Sequence, residues 1–358
     1  MRYVPINHLR SGQKLASDLV LSKNRVLLRK GRVLTDSLIR KVAMLGYQGL
    51  YIDDTLSEGL YVNDIVSAEL KMTMKNELQA LLDNTRLPRP SAFRLRMQTI
   101  NKLLQCTVDE ILHSSQVMVN MIDLRTYDDY TYSHSLNVSI LSVVIGITLG
   151  LNKKTLHQLA LGALLHDTGK MFVDKDILNK PSRLTPEEFD EIKKHSERGY
   201  TYLSDYLDIP DSARNTALQH HEQFNGKGYP QGLSGESIHL FGRIVGVVDV
   251  FDALTADRPY RKAMLPSDAI EYIMGGYNTM FDPSIVNALT RKVAPYPVGT
   301  CIRLSTGETA IVTKNYEFAS LRPMVKLVVD DKPTDTYLDL AHDRAALNVT
   351  IKEIVNIG

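Results

Sequence analysis

Between about residues 97 and 293 apolar residues recur at helical spacing, and no other feature of the chain constrains its fold as strongly. Leu103, Leu104, Val108, Ile111 and Leu112 set the pattern. Further helices are expected around 136–150, 155–166, 186–206, 211–222 and 242–256. The densest apolar run, 139–151, fits one core helix but is shorter than the ~20 residues that cross a bilayer. No membrane span is expected. Residues 1–10 lack the apolar segment of a secretory signal, and two cysteines, Cys106 and Cys301, cannot build a disulfide framework. The expected location is the cytoplasm.

The ends of the chain read differently. Arg25-Val26-Leu27-Leu28 and Val33-Leu34 are strand-like and are separated by Gly31. A helix over 37–45, capped by Thr35 or Asp36 and ended by Gly46, precedes a strand at Gly49-Leu50-Tyr51-Ile52. This α/β module, residues 1–62, is a candidate for sensing or docking and equally for a plain structural role. Residues 63–96 read as a helical linker, broken at Arg86-Leu87-Pro88-Arg89-Pro90, whose arginines belong to a solvated loop. Beyond Pro295-Tyr296-Pro297, segments 298–304, 310–313 and 324–329 are β-rich, so 295–358 is expected to form a small β module. With 42 Lys+Arg against 41 Asp+Glu, the formal charge is +1, which argues against a protein held on polymeric nucleic acid by bulk charge.

The helical region, 97–294, carries the chemistry. It contains His134, the doublet His166-Asp167 followed by Thr168-Gly169-Lys170, then His195, the doublet His220-His221, and Asp249 in the apolar run Ile244-Val245-Gly246-Val247-Val248-Asp249-Val250. Imidazole and carboxylate are the ligands of hydrolytic transition-metal sites. Five histidines and two aspartates exceed the needs of one four-coordinate ion and fit a pair. Adjacent histidines within a helix diverge by ~100°, enough to serve two ions. Paired ions favour phosphoryl chemistry, because together they activate water and stabilise charge on the phosphate. The scattered His8, His113, His157, His239 and His342 are read as ordinary surface or core residues. Asp249 is different, since a carboxylate buried among valines needs a cation or an arginine.

These residues resemble a known family. His166-Asp167-Thr168-Gly169-Lys170 resembles the HD-superfamily metal motif. The run His220-His221-Glu222-Gln223-Phe224-Asn225-Gly226-Lys227-Gly228-Tyr229-Pro230 is similar to the HHE…GYP signature of HD-GYP domains, and Asp249 leads into the similar run Asp252-Ala253-Leu254-Thr255-Ala256-Asp257-Arg258-Pro259-Tyr260-Arg261. The resemblance covers about 125–285. It implies a mainly α chain: an HD-type helical catalytic bundle between a small N-terminal α/β module and a small C-terminal β module. It also implies a bacterial signalling enzyme, a phosphodiesterase that hydrolyses cyclic di-GMP to pGpG and/or GMP. A close alternative substrate is 3′,3′-cyclic GMP-AMP, and a third reading is a cyclic-dinucleotide-responsive interaction module. Diguanylate cyclases or other signalling proteins are candidate partners, and a homodimer is a candidate assembly.

Matched position by position, the resemblance assigns metal binding to His134, His166, Asp167, His195, His220, His221 and Asp249, with Asp167 as bridge and iron or manganese as the ions. Lys170 is placed near the scissile phosphate, Gly228, Tyr229 and Pro230 in the loop that shapes the substrate pocket, and Arg258 and Arg261 on phosphate or guanine. Tyr229 can stack on a base or buttress its loop. Two positions depart from the pattern. Tyr130 stands where some members carry a Glu for a third metal, so two ions are expected. Asn225 replaces a usual Asp, which alters the loop and removes no ligand.

Overall fold

A computed structural model describes the chain except for residues 22–24, 46, 48, 61–64, 83–89, 115–117, 119–129, 179, 181, 206–208, 257–262, 356 and 358. The expected helix stop at Gly46, the Arg86–Arg89 loop, and Arg258 and Arg261 therefore lie outside the described residues. The chain divides into two compact units: 1–64 with 115–130 and 291–358, and 65–114 with 131–290.

In the first unit, strands β1 (Arg2–Pro5), β2 (Lys14–Leu15), β3 (Leu19–Leu21) and β4 (Arg25–Leu28) precede helix α1 (Asp36–Met44) and strand β5 (Gly49–Asp53). β5 pairs antiparallel with both β1 and β2, and β3 pairs with β4. Thr35 caps α1 by accepting from the Leu38 amide at 3.3 Å. Val33, expected in a strand, makes only an isolated bridge to Lys14.

The second unit is helical among its described residues. It runs α2 (Ala68–Leu82), α3 (Pro90–His113), α4 (Tyr130–Thr148), α5 (Lys153–Leu165), α6 (Lys175–Leu178), α7 (Pro186–Lys193), α8 (His195–Ser204), α9 (Asp211–Gln219), α10 (Leu240–Thr255), α11 (Pro266–Gly275) and α12 (Pro283–Lys292). The 63–96 stretch, expected as a linker, contributes α2 to this unit, where it packs on α3. α4 and α10 are apolar on nearly every face. Val138, Ile140, Leu141, Val143 and Ile145 on the first, and Ile244, Val245, Val247, Val248 and Phe251 on the second, are all buried. Helices of that kind occupy a core, so any polar residue they carry is carried inside. No described helix is long and apolar enough to cross a membrane.

The C-terminal strands β6 (Cys301–Leu304), β7 (Thr309–Lys314), β8 (Met324–Val329), β9 (Lys332–Asp339) and β10 (Ile351–Ile354) form one antiparallel sheet in the order β10-β6-β7-β8-β9. The two terminal modules expected to be separate fall in one unit. Leu56 is buried against Cys301, Ile311 and Val328, and Arg2 joins Asp54 at 2.7 Å while donating to the Ile357 carbonyl at 2.9 Å. The physical reason is size: modules of ~60 residues bury little of their own surface and gain by sharing a core.

Candidate metal centre

The site is assembled from helix ends. α5 stops at Leu165, so His166 and Asp167 follow at its C-terminus. α9 stops at Gln219, so His220 and His221 follow likewise. Carbonyl ends of helices carry partial negative charge and favour a cation. α8 begins at His195, while α4 and α10 bring His134 and Asp249 from the apolar core.

Two expectations fail here. The helix expected over 186–206 is broken at Lys194, and the break leaves the Ile192 carbonyl to accept from His195 Nδ1 at 2.7 Å. The helix expected to reach 222 ends before the His220-His221 doublet. Its rings lie side by side, centroids 4.1 Å apart, rather than diverging.

Seven donors converge. Asp167 Oδ1 lies 3.5 Å from His195 Nε2 and 3.8 Å from His220 Nε2, while Oδ2 lies 3.4 Å from His166 Nε2 and 3.8 Å from His134 Nε2. Each carboxylate oxygen thus faces a different pair of imidazoles. His134 Nε2 is also 3.0 Å from Asp249 Oδ1, and the His195 and His221 rings are 5.0 Å apart. Two sets of ligand atoms cluster tightly, His134 with His166 and Asp167, and His195 with His220 and His221.

The tautomers show what this arrangement needs. A carbonyl can only accept, so His166 Nδ1 donates to Ala163 at 2.7 Å, His195 Nδ1 to Ile192, and His220 Nδ1 to Ala217 at 2.9 Å. Each Nε2 then presents a lone pair inward. The His195 and His220 Nε2 atoms face each other at 3.2 Å, lone pair to lone pair. His166 Nε2 and Asp167 Oδ1 are buried with no hydrogen-bond partner among the described residues. Such a set is unfavourable alone and is satisfied by cations. The residues fit divalent metal.

Positioning residues absent from the expected set complete the site. His134 Nδ1 meets Asp252 Oδ2 at 2.6 Å, and Asp252 Oδ1 accepts from Asn137 at 3.1 Å. This carboxylate fixes the His134 ring, as carboxylates behind metal-bound histidines do. The available signal was spacing: Asp252 follows Asp249 by three residues on one helix face, and Asn137 follows His134 by three. Glu222 is the other. Its two oxygens accept from the Gln231 amide at 2.7 Å and the Leu233 amide at 3.0 Å, pinning the loop that contains Gly228, Tyr229 and Pro230. A side chain at Gly228 would strike the backbone of Glu222 and Gln223, so the loop closes only with glycine there. Tyr229 packs on His221, ring centroids 4.8 Å apart at 31°. Lys170 Nζ sits 2.6 Å from Asp167 Oδ2.

Without an ion, these groups decide one another's protonation. Burial depresses His195 against the pull of Asp167, depresses His220 further with help from His221 and His166, and takes His221 down to about 3. Burial opposes charge on His134 as well, but Asp249 and Asp252 outweigh it and carry that imidazole up to about 10. Burial works against charge on Asp167 and Asp249 too. Lys170 nevertheless holds the first, and His134 the second, well below the usual carboxylate range.

The sign of the resulting pH dependence follows. As pH falls below the ordinary histidine value of about 6.5, the unfolded chain takes up protons that the three depressed imidazoles refuse, so folded stability drops. His134 acts oppositely: its contribution is fully present below about 6.5 and is lost as pH rises through about 10. Chelator-treated protein should therefore melt highest near pH 6.5 and lower on both sides. A melting temperature that climbs steadily from about pH 5 to 9 in calorimetry would contradict this assignment.

This helical bundle, with imidazoles and carboxylates gathered at helix ends, has the fold and donor set of an HD domain. Residues 115–285 match the family described as HD domain. It is 38% identical over 224 residues to cyclic di-GMP phosphodiesterase PA4108 of Pseudomonas aeruginosa, covering 62% of this chain and 54% of that protein. It is 41% identical over 144 residues to the cyclic di-GMP phosphodiesterase response regulator RpfG of Xanthomonas campestris, 40% of this chain and 38% of that one. A 3′3′-cGAMP-specific phosphodiesterase of Vibrio cholerae is 37% identical over 157 residues, 44% of this chain and 36% of that protein. The chain thus spans about half the length of the first of these relatives and less of the others. Among solved structures, Bd1817, an HDG"Y"P protein from Bdellovibrio bacteriovorus, shares the fold with a TM-score of 0.53 at 18% identity, covering 80% of this chain and 97% of that one.

Proposed function

We propose that this chain is a metal-dependent phosphodiesterase that hydrolyses cyclic di-GMP to pGpG or GMP. The observation that carries the reading is the buried set of inward lone pairs, centred on Asp167, that cations must satisfy. The named activities of its relatives supply the substrate class. Two divalent ions, iron or manganese, would be held by His134, His166, Asp167, His195, His220, His221 and Asp249. When bound, such ions supply Lewis acidity toward the phosphodiester and acidify water. The chain's own residues do the rest. Asp252 and the backbone carbonyls orient the imidazoles. Lys170 adds positive charge where negative charge develops on the phosphate. Glu222 holds the Tyr229 loop against the cluster, and Tyr229 packs its ring on His221. Work in the cytoplasm belongs to the same reading, with diguanylate cyclases and a second copy of the chain as candidate partners.

Anaerobic purification with metal analysis, followed by turnover of cyclic di-GMP and 3′,3′-cyclic GMP-AMP, tests the proposal. About two ions per chain and faster hydrolysis of cyclic di-GMP are expected. Faster hydrolysis of cyclic GMP-AMP would move the chain to its alternative substrate. Binding of either nucleotide without hydrolysis in the presence of Fe(II) or Mn(II) would make it a binding module.

A further inference from the structure

A cavity of about 530 Å³, counting the solvent at its mouth, shares His220, His221 and Tyr229 with the metal centre and its loop. Its other walls include Phe224, Val247, Met280 and Phe281, with Glu222, Arg243 and Asp282 as charged lining. Asp282 is fully engaged. Oδ2 accepts from Arg243 Nη1 at 2.5 Å, and Oδ1 accepts from the Ser284 amide at 2.8 Å and hydroxyl at 2.6 Å. Arg243 is not: its Nε is buried and has no hydrogen-bond partner among the described residues. A buried guanidinium N–H left unpaired is costly, and an acceptor brought by a ligand removes that cost.

The chemistry of that acceptor can be narrowed. Phe224, Phe281, Val247 and Met280 make part of the wall apolar and aromatic, suited to the faces of a flat ring. A guanidinium presents parallel donors, which match two adjacent acceptors. Guanine offers such a pair at O6 and N7. Adenine sets an amino donor beside N7 and meets the guanidinium donor to donor.

We propose that this cavity is a guanine subsite and that Arg243 is its specificity-determining residue. The O6/N7 edge of the base meets the guanidinium, and the phosphate of the same nucleotide lies toward the wall formed by His220 and His221. The substrate implied rests on the phosphodiesterase reading, but base recognition can be measured without turnover.

The test titrates GMP and AMP, by calorimetry, into the metal-loaded full chain. The parent should bind GMP about tenfold or more tighter than AMP. Arg243→Lys keeps a cation for Asp282 and lacks the Nε donor, so its GMP:AMP ratio should fall to near one. A purely structural role for Arg243 would not move that ratio. Met280→Trp narrows the cavity without touching the ion pair and should weaken GMP binding by about tenfold. Equal affinities in the parent, or an unchanged ratio in Arg243→Lys, would overturn the subsite. Turnover of bis(p-nitrophenyl) phosphate, a diester without a base, by the parent reports separately on the phosphodiesterase reading. If that fails, the GMP:AMP comparison still decides the subsite.

Discussion

Asp167→Asn should leave the helical unit folded and lower turnover of cyclic di-GMP by roughly 10³-fold, with metal content falling in parallel. The amide matches the carboxylate in shape, so packing in the buried turn survives. Its electrostatics do not. Among the described residues, Asp167 is the side chain whose two oxygens each face a different pair of imidazoles, His195 with His220 and His134 with His166. Neutralising it removes the anion common to both groups. The amide N–H either bonds an imidazole Nε2, occupying a lone pair that an ion needs, or meets Lys170 Nζ donor to donor where the carboxylate now accepts at 2.6 Å. Loss should therefore appear in metal stoichiometry before it appears in substrate affinity. Metal analysis of the purified variant, beside its circular dichroism spectrum, separates this from misfolding. Parent-level metal with parent-level turnover would sink the central role given to Asp167.

The donor types of this centre were legible in the sequence because the residues come as doublets and because Asp249 stands in a run of valines. Their arrangement was less so. His166-Asp167 and His220-His221 work from helix ends, where a backbone carbonyl one turn back fixes Nδ1 of His166 and of His220, and residue spacing does not say where a helix stops. Asp252 and Glu222 carry no local signature of their positioning roles for a related reason. On a helix or loop, a carboxylate that serves another side chain is written no differently from one that faces water. In the terminal unit, β6, β7 and β8 follow apolar runs that any periodicity reading finds. β9 is Lys332-Pro333-Thr334-Asp335-Thr336-Tyr337-Leu338-Asp339, largely polar, and is a strand because β8 pairs with it. The joining of the two chain ends into one unit depends on Leu56 meeting Ile311 and Val328, a contact between residues too far apart in sequence for any local pattern to carry.

Gly169→Ala should cost about 3 kcal/mol and displace His195. Gly169 lies in the short 3-10 turn, Thr168–Phe172, that follows Asp167 and packs on α8. A Cβ there would lie 1.8 Å from the His195 carbonyl oxygen and 2.6 Å from the Gly199 amide nitrogen. Both are backbone atoms inside a helix, so no side-chain rotation relieves the clash. α8 must retreat by roughly 1.5 Å, and His195 heads that helix. The retreat withdraws His195 Nε2 from Asp167 Oδ1, now 3.5 Å away, so stability and the metal centre should fail together. Gly199→Ala on the facing surface is the matched control. Its added Cβ meets the Gly169 nitrogen at 3.1 Å, a crowding that a few tenths of an ångström relieves, and it should be far milder. Urea denaturation and metal analysis of the two variants make the comparison. Equal stabilities, or a Gly169→Ala chain that keeps the parent's metal content, would show that the turn and α8 are not as tightly coupled as their contact implies.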